Sequence, residues 1–239
     1  MHIIISCGDI EGIGLECLFA AITRNEHTCS LTVEHTLSIA VNDESLNQCI
    51  DLLPSVRCKV TNNSIQFHNG TVLNIIPCQT HALPRWNGPT GDSTRLAIES
   101  LEVAADYLKS GRADAVLTLP IAKDTMQDAG WHFPGQTEFF ASVAGVSRPM
   151  MILFSGSVRV ALATIHIPIS KVSESLSVNG ISDSVTLLAK TLTRDFGIAS
   201  PRIAVLGVNP HAGEQGTIGT EERDILIPAV DSVRKEGID

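Results

Sequence analysis

Two imidazoles occupy matching places in this 239-residue chain. His211 lies in Gly207-Val208-Asn209-Pro210-His211-Ala212-Gly213-Glu214-Gln215-Gly216, just after the apolar, β-branched run 202–206. His166 lies in Ile165-His166-Ile167-Pro168, just after the run 158–164. Both runs read as buried strands, each punctuated by a proline that cannot donate to a ladder. Ligands of open α/β sheets bind at the carboxyl ends of strands, so both imidazoles are expected at one sheet edge. There they could hold a divalent ion, since imidazole ligates zinc, cobalt and nickel well. Two ligands do not complete a site; at least a third is needed. The competing reading of each histidine is a solvated side chain in an ordinary connecting loop.

The elements that must position these residues alternate in type. Residues 2–6 read as a buried strand, followed by Gly8-Asp9-Ile10-Glu11-Gly12-Ile13-Gly14 and a helix through Ala21. Such a turn suggests phosphate binding on helix-terminal N–H groups. Its spacing misses the dinucleotide fingerprint, having Cys17 where Gly or Ala belongs, and it carries no P-loop Gly-Lys-Ser/Thr. Tight helix–strand packing is the other explanation of those glycines. Residues 31–78 alternate short β-rich runs, such as 71–76, with polar turns around a helix near 43–53. Ala97, Leu101, Ala104, Ala105 and Leu108 then form one apolar helical face, ended by Gly111. Residues 114–119 read as a strand and 121–124 open a short helix that breaks at Gly130. Pro134-Gly135 makes a turn, with Thr137 a candidate cap for the helix after it. Residues 150–154 and 158–164 read as a hairpin turning at Ser155-Gly156-Ser157. Helices are expected over 182–196 and 221–234, with acids opening the second. This alternation predicts an α/β fold with a largely parallel sheet and some antiparallel pairing.

Composition narrows the function classes. The chain is 44% hydrophobic, 18% charged and carries a formal charge of −9. A negative balance argues against non-specific nucleic-acid binding, which needs Lys and Arg on phosphates, but leaves room for a small phosphorylated substrate. The cysteines at 7, 17, 29, 49, 58 and 78 show no C-x-x-C spacing, and no leader precedes them. They are expected to be reduced thiols of a cytoplasmic protein. No apolar run approaches the ~20 residues of a membrane span, so no membrane partner is expected.

Four segments together carry a family resemblance: Gly8-Asp9-x-x-Gly12-Ile13-Gly14-x-Glu16; Leu119-Pro120-Ile121-x-Lys123 with Gly135-x-Thr137-Glu138-Phe139; Ala163-Thr164-x-His166-x-Pro168; and Asn209-Pro210-His211-Ala212-Gly213-Glu214. This set resembles the 4-hydroxythreonine-4-phosphate dehydrogenase (PdxA) family. The resemblance implies an α/β fold of two α/β/α lobes, like isocitrate and isopropylmalate dehydrogenases, with a cleft between them. Lobes at 1–131 and 132–239 are expected, both lacking a C-terminal part that family members carry. It implies NAD(P)- and divalent-metal-dependent oxidation, with decarboxylation, of 4-phosphooxy-L-threonine in pyridoxal phosphate biosynthesis. His166 and His211 match the family's metal ligands for zinc, magnesium or cobalt. The third would lie beyond residue 239, in a site shared between the subunits of a homodimer. NAD or NADP would be the hydride acceptor, with no residue assigned to it and no catalytic residue assigned.

The resemblance also places Gln136 and Thr137 on the substrate, where the family usually has His-Thr. Glutamine donates and accepts hydrogen bonds but carries no charge and relays no proton. Gln136 is expected to replace the histidine through its amide N–H. It also leaves open a paralogue that oxidises another phosphorylated hydroxy acid, phosphothreonate or phosphoerythronate. A non-catalytic, truncated homologue is the reading from another class, and the chain by itself is expected to be inactive. Lys123 could supply positive charge to an anionic substrate or be a solvated first-turn lysine.

Overall fold

The hydrophobic run Ile3-Ile4-Ile5 lies on an interior strand, one in from the edge, of a six-stranded sheet in the computed structural model, which describes residues 1–24 and 35–239. Strands β1 (His2–Ser6), β2 (Thr36–Val41), β3 (Cys58–Val60), β4 (Ser64–Phe67), β5 (Val72–Pro77) and β6 (Ala115–Thr118) take the order β3-β4-β5-β2-β1-β6. The run β5-β2-β1-β6 is parallel, while β3 and β4 add antiparallel pairs at one edge. Central parallel strands are covered on both faces, which is why β1 tolerates three consecutive isoleucines. Ile4 and Ile5 are fully buried. Cys29 and the first residues of the 31–78 region lie outside the described residues.

Helices α1 (Gly14–Arg24), α2 (Asp43–Asp51) and α3 (Gly91–Lys109) belong to this sheet. Thr90 and Ser93 form a reciprocal capping box that opens α3, and Gly111, at φ +69°, follows its end. The expected face of α3 is the buried one: Ala97, Leu101, Ala104 and Ala105 are all in the core. Ser100 fastens the helix to the sheet, accepting from Cys7 N at 2.8 Å and donating to Ala40 O at 2.6 Å. Two further helices, α4 (Lys123–Asp128) and α5 (Gln136–Val143), follow β6. Trp131, Phe133 and Phe139 stack with centroids 4.8–5.4 Å apart and close a cluster with Leu101, Ala105 and Met126. This cluster holds α5 on α3, and the chain divides into compact units at Met1–Pro149 and Met150–Asp239.

In the second unit, β7 (Ile152–Ser155) and β8 (Val158–Ala161) form the expected hairpin, with Gly156 at φ +55° in its two-residue turn. The expected burial of 158–164 is not found. β8 is four residues long, and Leu153, Phe154 and Val158 are exposed, because a two-stranded ribbon has no further strand beside it to build a covered face. The run 202–206 is corrected as well: it is extended but joins no sheet. Ile203 N donates to Asp239 O at 2.9 Å, and Ile203 and Val205 lean on the helices while Ala204 and Leu206 face out. One face of its pattern is therefore strand-like, and a groove of about 420 Å³ beside it is left unfilled.

Helices α6 (Val172–Ser175), α7 (Val178–Arg194, capped by Ser177) and α8 (Ile227–Lys235) complete this unit. Ile181, Val185, Leu226, Ala229 and Val233 are its core. Residues Glu222–Leu226 form a wide π-type turn ahead of α8, where Pro228 has no N–H to close an ordinary turn. Among the described residues no helix is long and apolar enough to cross a membrane.

Candidate active site

The chain leaves β1 through α1 toward β2 on one side, while β6 pairs with β1 on the other. The carboxyl ends of β1 and β6 thus make the topological switch point of the sheet, where α/β proteins bind ligands. The 8–14 loop and Leu119-Pro120 meet there. Gly8 adopts φ +62°, and a Cβ on it would lie 2.3 Å from the Pro120 carbonyl oxygen. Asp9 N donates to that same oxygen at 2.9 Å. A Cβ on Gly14 already sits at 3.2 Å from Leu119 and Pro120 if built. Close packing accounts for both glycines, so nothing in the loop requires a phosphate.

Glu11, inside that loop, was not singled out from the sequence. Its carboxylate is only 7% exposed; Oε2 accepts from Arg85 N at 2.8 Å and Trp86 N at 2.5 Å, while Oε1 is buried without a partner. It latches a distant loop in which Trp86 takes a left-handed φ of +53°. No local pattern in the sequence signals a bond 74 residues away.

Gln136 opens α5 and is drawn to the end of β6: its Nε2 donates to Leu119 O at 3.1 Å. That bond sets the amide orientation, since the reverse would oppose two acceptors. One of its two amide hydrogens is therefore committed to the backbone. Oε1 is the atom buried without a partner, an acceptor rather than the donor expected. Thr137 is corrected from cap to first-turn residue. Gly135 holds the N-cap position, with no side-chain cap, because the extended chain enters the helix one residue before Gln136. Lys123 heads α4 and is exposed; a Cβ at Gly135 would lie 3.6 Å from its Nζ and 3.1 Å from Glu138 Oε2. Lys123, Gln136 and Glu138 thus gather beside the Leu119-Pro120 turn.

In the second unit, His166 is exposed, lies ahead of α6 and holds a left-handed φ of +57°. His211 is exposed too, with Nδ1 3.2 Å from Glu214 Oε1. A carboxylate on Nδ1 leaves Nε2 as the free ligand atom, the arrangement common behind metal-bound histidine. Residues Ala212 to Gly216 all have positive φ: +49°, +72°, +43°, +58° and +99°. For the three that are not glycine, this costs about 1–2 kcal/mol each. Donor type and ring orientation fit a divalent metal at His211. Among the described residues no three His, Cys, Asp or Glu side chains gather to hold one.

A parallel sheet with polar side chains gathered at its switch point, followed by a unit bearing strained, imidazole-carrying loops, is the layout of an α/β ligand-binding protein. Residues 32–239 match the model of the pyridoxal phosphate biosynthetic protein PdxA family, and the chain belongs to that family. It is 43% identical over 148 residues to 4-hydroxythreonine-4-phosphate dehydrogenase of Burkholderia vietnamiensis, covering 61% of this chain and 45% of that one. The enzyme of the same name from Erythrobacter litoralis is 35% identical over 241 residues, 98% of this chain and 70% of that one. A crystal structure of 4-hydroxythreonine-4-phosphate dehydrogenase from Klebsiella pneumoniae superimposes with a TM-score of 0.82 at 26% identity, covering 99% of this chain and 71% of that one. Several curated relatives are thus matched over only about half their length.

Proposed function

We propose that this chain is part of an oxidoreductase that acts on 4-phosphooxy-L-threonine in pyridoxal phosphate biosynthesis, using NAD or NADP and a divalent metal. The observation that carries the reading is family membership over residues 32–239, within which His166 and His211 stand exposed on strained loops. His166 and His211 would hold zinc, magnesium or cobalt, completed by a ligand from a partner subunit of a homodimer. When bound, such an ion supplies Lewis-acid stabilisation of negative charge on a substrate oxygen.

The chain's own residues do the rest of what is proposed. Glu214 holds the His211 ring so that Nε2 faces outward. Gln136 and Thr137 contact the substrate, with Gln136 Oε1 suited to accept from a hydroxyl or ammonium group. Lys123 places a positive charge beside them for an anionic group. No described residue is assigned to NAD(P), because the 8–14 glycines are explained by packing.

Gln136 favours a second reading, a dehydrogenase of phosphothreonate or phosphoerythronate in the same family. The test, on a protein that spans the full length of the curated relatives, is the reduction of NAD or NADP with zinc, magnesium or cobalt and each of the three substrates, with Gln136 and with Gln136→His. The first reading expects preference for 4-phosphooxy-L-threonine and less than about a tenfold change in Gln136→His, a hydrogen-bond-sized effect. A gain of about a hundredfold or more toward that substrate in the variant would assign the natural substrate to the other class. Substrate and metal binding without turnover of any of the three would assign a binding role instead.

A further inference from the structure

We propose that Glu222 is the positioning residue of His211, an inference that rests on the metal reading above. Glu222 is only 8% exposed. Its Oε1 accepts from two successive amides, Val208 N at 2.9 Å and Asn209 N at 3.1 Å. The Asn209 side chain carries the restraint onward: Oδ1 accepts from His211 N at 2.9 Å and Nδ2 donates to Ile218 O at 3.2 Å. One buried carboxylate thus fixes the backbone before His211, and one amide ties His211 to that backbone and to the far end of the loop.

The glycines on either side lie against both Glu222 and backbone, with Asn209 O 3.0 Å from a Cβ at Gly207 and Gly213 at φ +72°. A Cβ at Gly207 would lie 3.2 Å from Oε1, and a Cβ at Gly213 would lie 3.1 Å from Oε2 and 2.6 Å from Gly219 O. Oε2 itself is buried with no partner among the described residues. An aliphatic residue would fill this space without leaving an orphaned oxygen, so packing alone does not explain a carboxylate here. What only an acceptor can do is hold the two amides. The left-handed run 212–216 requires such a hold, because strained backbone persists only where its surroundings over-determine it. The His211 ring, exposed and held by Glu214 alone, inherits its position from that backbone.

The experiment compares zinc affinity, by competition with a chromophoric chelator, in the wild type, Glu222→Ala, Glu222→Gln, Asn209→Ala and His211→Ala. Amide hydrogen exchange at 208, 209 and 211 is followed without metal. Glu222→Ala is expected to weaken zinc by roughly 10–100-fold, the usual effect of removing a group that orients a ligand, and to speed exchange at all three amides. Glu222→Gln keeps an acceptor oxygen and should stay within a few-fold of wild type. Asn209→Ala leaves Glu222 in place, should also weaken zinc, and carries the test if Glu222→Ala does not fold. Unchanged zinc affinity in Glu222→Ala or Asn209→Ala, with His211→Ala impaired, overturns the inference. So does Glu222→Gln falling as far as Glu222→Ala. Unchanged affinity in His211→Ala sinks the metal reading itself, and the inference with it.

Discussion

Replacing Gly8 with alanine separates packing from ligand binding at the switch point. The new methyl would have to sit at a left-handed φ of +62°, which costs about 1–2 kcal/mol for an L-residue. It would also lie 2.3 Å from Pro120 O and 2.9 Å from the Leu119 carbonyl carbon, backbone atoms that cannot swing aside. Pro120 O accepts from Asp9 N, so any retreat also weakens that bond. Overpacking of this kind costs a further ~1–3 kcal/mol, giving roughly 2–5 kcal/mol in all, a large part of the ~5–15 kcal/mol that a domain has. Gly14→Ala differs: its Cβ would meet side-chain atoms of Leu119 and Pro120 at 3.2 Å, and alanine gains about 0.5–1 kcal/mol over glycine in a helix. That variant should fall within about 1 kcal/mol of wild type. Both tryptophans of the chain, Trp86 and Trp131, lie in the first unit, so fluorescence in a urea titration reads this unit directly. Gly8→Ala should lower the midpoint by at least about 0.7 M, given slopes of about 1–3 kcal/mol per M. A shift no larger than that of Gly14→Ala would refute the packing account and return the loop to the phosphate reading.

Burial raises the Cys7 and Cys49 thiols to about 12 and raises Cys78 further still. Folding therefore holds protons that the unfolded chain gives up near pH 9, so these thiols should stabilise the fold fully below pH 9 and lose that contribution as pH rises toward 12. A urea series across that window checks it, and a flat profile would contradict the burial. With a thiol reagent at pH 8, exposed Cys17 should react at once, and Cys7, Cys49 and Cys78 only on unfolding. Glu11→Ala should cost about 2 kcal/mol by orphaning two amides, and Glu11→Gln less than about 1 kcal/mol, read by the same fluorescence titration; equal losses would mean that the charge, not the acceptor, matters. His166→Gly should be about 1 kcal/mol more stable than His166→Ala, since both lose the imidazole and only glycine relieves φ +57°. Thermal unfolding followed by circular dichroism decides it, and equal stability would remove the claim of strain.

How much of this was legible in the sequence depended on the range of the interactions involved. The isoleucine run of β1, the apolar face of α3 and the Gly156 turn are each specified within a few residues, and each formed where expected. The run 202–206 shows the limit. Its residues have strand propensity, but a strand is defined by a neighbour, and none pairs with it among the described residues. Thr137 failed as a cap for a smaller reason: a turn ending in Gly135 lets the helix begin two residues earlier than the hydroxyl would dictate.

The candidate site divides along the same line. His166, His211, Gln136 and Thr137 stand out as candidates because they are chemically distinctive or belong to a family motif. The contacts that fix the surrounding loops were not legible, because each spans a gap in sequence. Gln136 reaches Leu119 over 17 positions, Glu222 reaches Val208 over 14, and Glu11 reaches Arg85 over 74. Among the described residues, all three leave one side-chain oxygen buried and unpaired while the rest of the group grips backbone. A carboxylate or amide buried this way costs stability that an aliphatic residue would not, and its return is a fixed loop. Gly213 and Gly216 take the positive φ that glycine permits, while Gly207 and Gly213 also lie close to Glu222. Such close approach only becomes readable once the partner is in view.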